Sequence, residues 1–309
     1  MPLPLSVIIS TYNLARYQDT VDVLRSLANQ SFNKFEVIVI IDENHQYYKK
    51  LQEFTRNIDL YNVRLVFNPF NNGLSYSRNL GIKYAKGEIV AYLDDDVIVS
   101  PNWAKEIFRT FRKYENVGAV AGHIIPLWMD KSIEWFPEEL YWMISCSYIL
   151  TPKKEREVDR GFGANMAFRR ELLLELGGFR EDLGLSGEKW VGGEDTDMFL
   201  RVKERSYKVI FNPKALVYHK IYPHRIKMRT LIKRALGGGR SIAKLKKNYM
   251  YVPEKENTYL NKLLYEFYIS KGSQFLKSPN TEYIKQFGAV TLVVTFEGLG
   301  YLLESLERS

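Results

Sequence analysis

The chain has 309 residues, is 46% hydrophobic and 26% charged, and carries a net charge of +8 and one cysteine. This balance excludes a disordered chain, and the length allows one large domain or a domain with an appendage. A lone Cys146 excludes an internal disulfide and reads as a buried thiol in a reducing compartment, while the positive charge calls for an anionic partner: nucleic acid, nucleotide phosphates or an acidic membrane surface.

Met1 to Ser6 leads directly into a strand without the basic n-region of a signal peptide, so a chain on the cytosolic side is expected. Leu5–Ser10 is a β-branched apolar run and predicts the first strand, and Thr20–Ala28 has apolar residues at helical spacing. Glu36–Ile41 predicts a second strand ending at Asp42, Tyr47–Ile58 a helix, Val63–Phe67 a third strand and Ser75–Ala85 another helix. Glu88–Leu93 predicts a buried strand that exits into Asp94, Asp95 and Asp96; a helix over Asn102–Tyr114 and a strand over Val117–Ile125 follow. Strands alternating with helices imply right-handed crossovers and an open α/β sheet, Rossmann-like and mixed or mainly parallel, with flanking helices. Such sheets bind ligands beyond the carboxyl ends of their strands, where Asp42 and Asp94 lie.

Residues 127–160 interrupt the alternation with Trp128, Trp135, Phe136, Tyr141 and Trp142, which read equally as core and as the lining of an acceptor groove. The pattern then resumes with Gly161–Phe168, a helix over Arg170–Leu176, a glycine-rich loop containing Trp190, a helix opening at Glu194-Asp195, and strands Lys208–Phe211 and Ala215–His219. The first 221 residues are expected to form one domain, divided near residue 125 into a nucleotide half and an acceptor half. From residue 222 onward the chain changes in kind. Arg225, Arg229 and Lys233 recur at helical spacing, with Arg234 and Arg240 nearby and apolar residues between, which reads equally as a helix lying on an anionic membrane surface and as a solvated basic face. Phe287–Leu303 is nearly all apolar but shorter than the ~20 residues of a bilayer span, and it contains Glu297. A monotopic or re-entrant helix is the first expectation, a packed core helix the second and a span the third.

Three adjacent carboxylates repel one another unless a cation lies among them. Hard divalent ions such as Mg²⁺ or Mn²⁺ take oxygen ligands and keep places for phosphate oxygens. The triplet therefore predicts a metal–diphosphate site. Thr11-Tyr12-Asn13 after the first strand, Asp42 after the second, Arg78 in a helix, Gly163-Ala164-Asn165, and Glu194-Asp195 complete a constellation.

Taken together and in this order, these residues resemble the family-two inverting glycosyltransferases with the GT-A nucleotide-sugar fold, over roughly residues 4–220. The resemblance implies that Thr11, Tyr12, Asn13, Asp42, Arg78, Asp94, Asp95, Gly163, Ala164 and Asn165 bind the nucleotide and donor sugar. Within that set Asp42 would meet the base imide, Arg78 the diphosphate or base, and Asp94 the ribose. Asp95 would lie near the donor sugar, and Gly163 and Ala164 would let backbone approach it. Asp96 and His219 would hold Mn²⁺ or Mg²⁺, with the division between Asp95 and Asp96 left open. Trp190 would stack on the acceptor beside Glu194, and Asp195 would be the catalytic base. A carboxylate at a helix start is favoured there by the helix dipole. Each residue also has a purely structural alternative: Asp42 and Asp195 as helix caps, Arg78 as a helix-surface side chain, His219 as a core histidine.

The expected function is metal-dependent, inverting transfer of one sugar from a UDP- or GDP-linked donor to a hydroxyl acceptor, lipid-linked in the first instance. It is placed on the cytoplasmic membrane face, peripheral or monotopic. The Gln-x-x-Arg-Trp motif of processive synthases is absent, Gly237–Ser241 being the nearest segment, which favours single addition. Two other functions compete with this one. A sugar-1-phosphate nucleotidyltransferase would need a glycine-rich phosphate loop after the first strand, and Ser10–Arg16 contains no glycine. A silent membrane or nucleic-acid adaptor would exploit the charge alone, and no nucleic-acid motif accompanies it, so nucleic acid is not an expected partner.

Overall fold

Eight consecutive buried residues, Phe35–Asp42, form a strand with no polar face, and the neighbouring Leu5–Thr11 is almost as uniformly buried. Such runs belong to sheets covered by helices on both sides. The computed structural model describes residues 4–60, 62–186, 189–249 and 262–307, and the chain falls into two compact units. The first comprises Met1–Ile125, Pro152–Lys189 and Glu194–Lys220; the second comprises Pro126–Thr151, Trp190–Gly193 and Ile221–Ser309.

The first unit is built on strands β1 (Leu5–Thr11), β2 (Phe35–Asp42), β3 (Val63–Asn68), β4 (Ile89–Leu93), β5 (Val97–Val99), β6 (Val117–Trp128), β7 (Arg156–Glu157), β8 (Asn165–Arg169) and β11 (Lys208–Ile221). Among the described residues these make a sheet of order β3-β2-β1-β4-β8-β6-β11-β5, with β7 beside β11. The first four strands are parallel. From β4 onward the pairing turns antiparallel: β8 runs against β4 and β6, and β5 and β7 against β11. The sheet is thus mixed, with parallel pairing among β1 to β4 and antiparallel pairing beyond.

Helices α1 (Tyr17–Ala28), α2 (His45–Thr55), α3 (Leu74–Tyr84), α4 (Trp103–Lys113), α5 (Arg170–Glu175) and α6 (Glu194–Glu204) follow the predicted pattern within a few residues. Two features were not legible. The three-residue β5 is too short to show a period. Lys208–Ile221 is one strand through Pro213, not two. One face of the sheet buries Ile8, Ile38, Val90, Tyr92, Met166, Phe168 and Phe199. Tyr92 meets Phe179 edge-on with ring centres 5.2 Å apart. Each such side chain contributes about 1.5–3 kcal/mol on full burial.

The second unit contains Cys146, which is buried, and short strand segments including part of β10 (Lys189–Val191). Phe136 is buried, while Trp128, Trp135, Tyr141 and Trp142 are half-buried, Trp128 and Tyr141 meeting edge-on. Helix α7 (Met228–Asn248) packs on a C-terminal helix, Thr281–Leu306. At their crossing a Cβ on Gly239 would run into the Glu297 carbonyl and the Tyr301 amide, and one on Gly300 into the Leu236 carbonyl. Backbones approach this closely only where side chains are missing. The expected basic face is divided: Arg229 and Lys233 are exposed, but Arg225 is buried and the Arg234 guanidinium donates to the Met143 carbonyl. The helix that contains the apolar run extends beyond it at both ends, from Thr281 to Leu306. The helix has 26 residues, enough to cross a membrane by length and composition, and 28% of its most apolar window is buried.

Candidate active site

Several of the residues singled out by sequence sit at the carboxyl edge of the sheet, and others are brought there by strand pairing. Thr11, Asp42 and Asp94 end or follow β1, β2 and β4. Because β8 runs antiparallel to β4 with Asn165 opposite Leu93, the preceding Gly163 and Ala164 arrive beside Asp94. Because β11 pairs with β5 in the register His219 opposite Val97, His219 arrives beside Asp96, and the Lys220 amide donates to the Asp96 carbonyl. Pairing of distant strands therefore explains how residues more than a hundred positions apart meet.

Asp42 is buried and is not the cap of α2, a task performed by the Asn44 side chain. Its two oxygens accept from Asn68 Nδ2 at 2.7 Å and Ser77 Oγ at 2.6 Å. Burial raises its pKa above the ordinary value, and these two hydrogen bonds only partly oppose that. Arg78 is likewise no surface residue. It is buried over the Phe179 ring, with Nη1 donating to Glu194 Oε1 at 2.9 Å and Nη2 3.8 Å from Asp94 Oδ1. Burial and the neighbouring Asp195 push the Glu194 carboxyl upward, and Arg78 draws it back. A Cβ on Gly163 would lie 2.5 Å from Arg78 Nη2, and the Gly163 amide donates to Asp195 Oδ2 at 2.9 Å. Asp195 Oδ1 accepts from the Thr196 amide at 2.7 Å. Asp94, Arg78, Glu194, Gly163 and Asp195 thus form one connected chain of contacts inside the first unit.

Asp96 and His219 are fully buried, and His219 Nε2 is 3.0 Å from Asp96 Oδ1. Asp94, Asp96 and His219 each offer a ligand atom, all within 4.8 Å of one another. Adjacent ligands at about 2.1 Å on an octahedral ion lie about 3 Å apart, so the His219–Asp96 spacing fits a shared cation. Two carboxylates and an imidazole suit Mn²⁺.

Several placements differ from expectation. Asp95 faces inward: Oδ2 accepts from Thr11 Oγ1 at 2.7 Å and Oδ1 from Arg16 Nη1 at 2.6 Å. Thr11 is buried, 3.1 Å from the Tyr47 hydroxyl, so it supports Asp95 and has no open face for a donor. Burial lifts the Asp95 carboxyl to about 6, with Arg16 opposing the shift and Asp96 adding to it. Burial alone would lower the Arg16 pKa, but the charges of Asp95 and Asp96 outweigh it and raise it. Asn165 is also turned away from the site. Its amide donates to the carbonyls of His123 and Ala215 at 3.0 and 2.8 Å and accepts from Trp103 Nε1 at 2.8 Å, tying strands together. Ala164 is buried. Asn13 caps a short turn over Leu14–Arg16 by accepting from the Ala15 amide, and Tyr12 is exposed. The side chain of Trp190 lies outside the described residues. Arg16 was missed because nothing in its local sequence marks it; the unpaired third carboxylate of the triplet was the available signal.

The family model for glycosyl transferase family 2 matches residues 6–177, more than half of the chain. The chain belongs to this family. It is therefore a glycosyltransferase, and the mixed sheet and its edge are those of the GT-A fold. Across 301 residues, 97% of this chain and 96% of the relative, the enzyme is 28% identical to the glucosyl-dolichyl phosphate glucuronosyltransferase of Haloferax volcanii. It is 27% identical over 249 residues to the succinoglycan biosynthesis protein ExoM of Rhizobium meliloti, covering 79% of this chain and 75% of that one. Among solved structures, the mannosyltransferase PcManGT of Pyrobaculum calidifontis, in complex with GDP-Man and Mn²⁺, is similar with a TM-score of 0.63 at 19% identity. That match covers 99% of this chain and 86% of that chain, and it speaks to the fold.

Proposed function

We propose that this glycosyltransferase moves one sugar from a nucleoside-diphosphate sugar to a hydroxyl of a lipid-linked acceptor, with inversion at the anomeric carbon and with Mn²⁺ or Mg²⁺. The observation that carries the reading is the meeting, in one unit, of Asp42, the Asp94–Asp96–His219 group and the Gly163-tethered Asp195. Asp42 would meet the base imide, and Arg78, whose Nη2 is 3.8 Å from Asp94 Oδ1, would meet the diphosphate. Asp94, Asp96 and His219 would hold the cation, which would supply the positive charge that a departing diphosphate needs. Asp195 takes the acceptor hydroxyl's proton as that oxygen bonds to the anomeric carbon from the side opposite the breaking bond to diphosphate. Two amide donors fix the carboxylate's direction, as a positioned base requires.

The acceptor class rests on the relative that matches nearly end to end and whose name specifies a dolichyl-phosphate-linked sugar. Attachment to the cytoplasmic face of a bilayer is supported by the C-terminal helix, which exposes Ile284, Leu299, Leu302 and Leu306, and by exposed Arg229 and Lys233 on α7. The test is incubation with a panel of UDP- and GDP-sugars, uronic acid donors first, Mn²⁺ or Mg²⁺, and a glucosyl-phosphoprenol acceptor. Proton NMR of the product should show a single added sugar with the anomeric configuration opposite to the donor's. Retained configuration, or a ladder of additions, overturns the reading.

A further inference from the structure

The triplet at the end of β4 contains more negative charge than a divalent cation needs, and the structure disposes of the excess. Arg16 closes the short turn after β1, and its Nη1 donates to Asp95 Oδ1 at 2.6 Å while lying 3.3 Å from Asp96 Oδ2. Thr11 Oγ1 occupies the other Asp95 oxygen at 2.7 Å. Both oxygens of Asp95 are therefore engaged on the side of Arg16 and Thr11. Asp96 is divided between two neighbours, with Oδ2 toward Arg16 and Oδ1 3.0 Å from His219 Nε2.

We infer that Arg16 is a positioning residue that withdraws Asp95 from the cation site and makes Asp96 bind through Oδ1 alone. The inference rests on the metal reading proposed above. Charge counting supports it: three carboxylates with one guanidinium leave two net negative charges, which match a divalent ion. Affinity for such an ion is set by the number of ligand charges and the rigidity of the cage. With Arg16 neutral, the third carboxylate is released toward the ion. With Asp95 neutral, the guanidinium is left beside the cation without its counter-ion, which is costly in a buried site.

The test is Mn²⁺ affinity of the purified full chain, read from the EPR signal of free Mn²⁺, for Arg16→Gln, Asp95→Asn and the double variant. Arg16→Gln should bind Mn²⁺ about tenfold more tightly and Asp95→Asn about tenfold more weakly, with the double variant back within about threefold of wild type. A double variant as weak as Asp95→Asn would make Asp95 a ligand and overturn the inference. So would an Arg16→Gln affinity equal to or below that of wild type. Should the double variant not fold, Arg16→Lys decides: with its charge kept, it should stay within about threefold of wild type, and tenfold tightening would refute the role of charge. Wild type binding no Mn²⁺, with or without a nucleoside diphosphate, would remove the metal reading itself. Normal wild-type binding with unresponsive variants would remove only the role of Arg16.

Discussion

Gly163→Ala is a perturbation of one methyl group whose consequences can be worked out in advance. The new Cβ would lie 2.5 Å from Arg78 Nη2 and 3.3 Å from its Cζ, so the guanidinium must retreat by about 1 Å to reach ordinary contact. Arg78 has little room to do so: it is buried, bonded to Glu194 at 2.9 Å, and packed over Phe179. Moving the end of a long side chain is cheaper than moving backbone, so the stability cost should fall in the range of about 1–2 kcal/mol, the low side of overpacking penalties. For a unit of this size that corresponds to a melting-temperature drop of a few degrees. Activity should suffer more. The same displacement separates Arg78 from Glu194 and Asp94 and pulls on the amide that orients Asp195, and a 1 Å misplacement at a reacting centre can cost about 100-fold. The assay is a melting curve paired with steady-state sugar transfer, with kcat and KM separated. A variant that melts within a few degrees of wild type but loses tenfold or more in kcat/KM fits this geometry. Unchanged kinetics in a folded variant would show that the position of Arg78 does not matter.

Asn165→Ala should lower stability by about 3–5 kcal/mol, because Trp103 Nε1 and two buried carbonyls lose their partner together; a urea midpoint within 1 kcal/mol of wild type would contradict this. For Asp42, whose pKa burial raises above 3.8, the folded state holds the proton more tightly than the unfolded state. Its contribution to stability is therefore full below 3.8 and is lost as pH rises through the raised value. Asp42→Asn should flatten the stability profile across that acidic window, as measured by urea midpoints from acid to neutral pH, and an unaltered slope would exclude Asp42 as its source. Gly239→Val should separate α7 from the C-terminal helix, since the added atoms meet the Glu297 carbonyl and Tyr301 amide. A cost of at least about 1–3 kcal/mol is expected in thermal unfolding, and an unshifted curve would rule out the close crossing.

The parallel half of the sheet was legible because its strands are uninterrupted apolar runs punctuated by Asp42 and by the acidic triplet. The antiparallel half was not. Whether β8 lies beside β4 is decided by pairings between distant segments, and no local period records them. For the same reason the residue types of the site could be read from sequence, whereas their duties could not. Asp94, Asp195 and His219 could be picked out as candidates, but only the register of β5 with β11 brings His219 to Asp96. Asp95 and Asn165 carry the same chemistry as binding residues, and burial turns both to internal work. Arg16 lies in a turn of ordinary composition and acquires its role from carboxylates about eighty residues further along the chain. The start of the C-terminal helix was not legible, because it begins in polar residues before Phe287, at Thr281.

The most direct test of the account is Asp195→Asn, in which the remaining oxygen can accept from the Gly163 amide, the Thr196 amide loses its acceptor, and the proton acceptor is lost. Binding of a nucleoside-diphosphate sugar with Mn²⁺, measured by calorimetry, should stay within about threefold of wild type while the transfer rate falls by about 10²–10⁴. A variant that transfers sugar at a rate near that of wild type would contradict the assignment of Asp195 as the base.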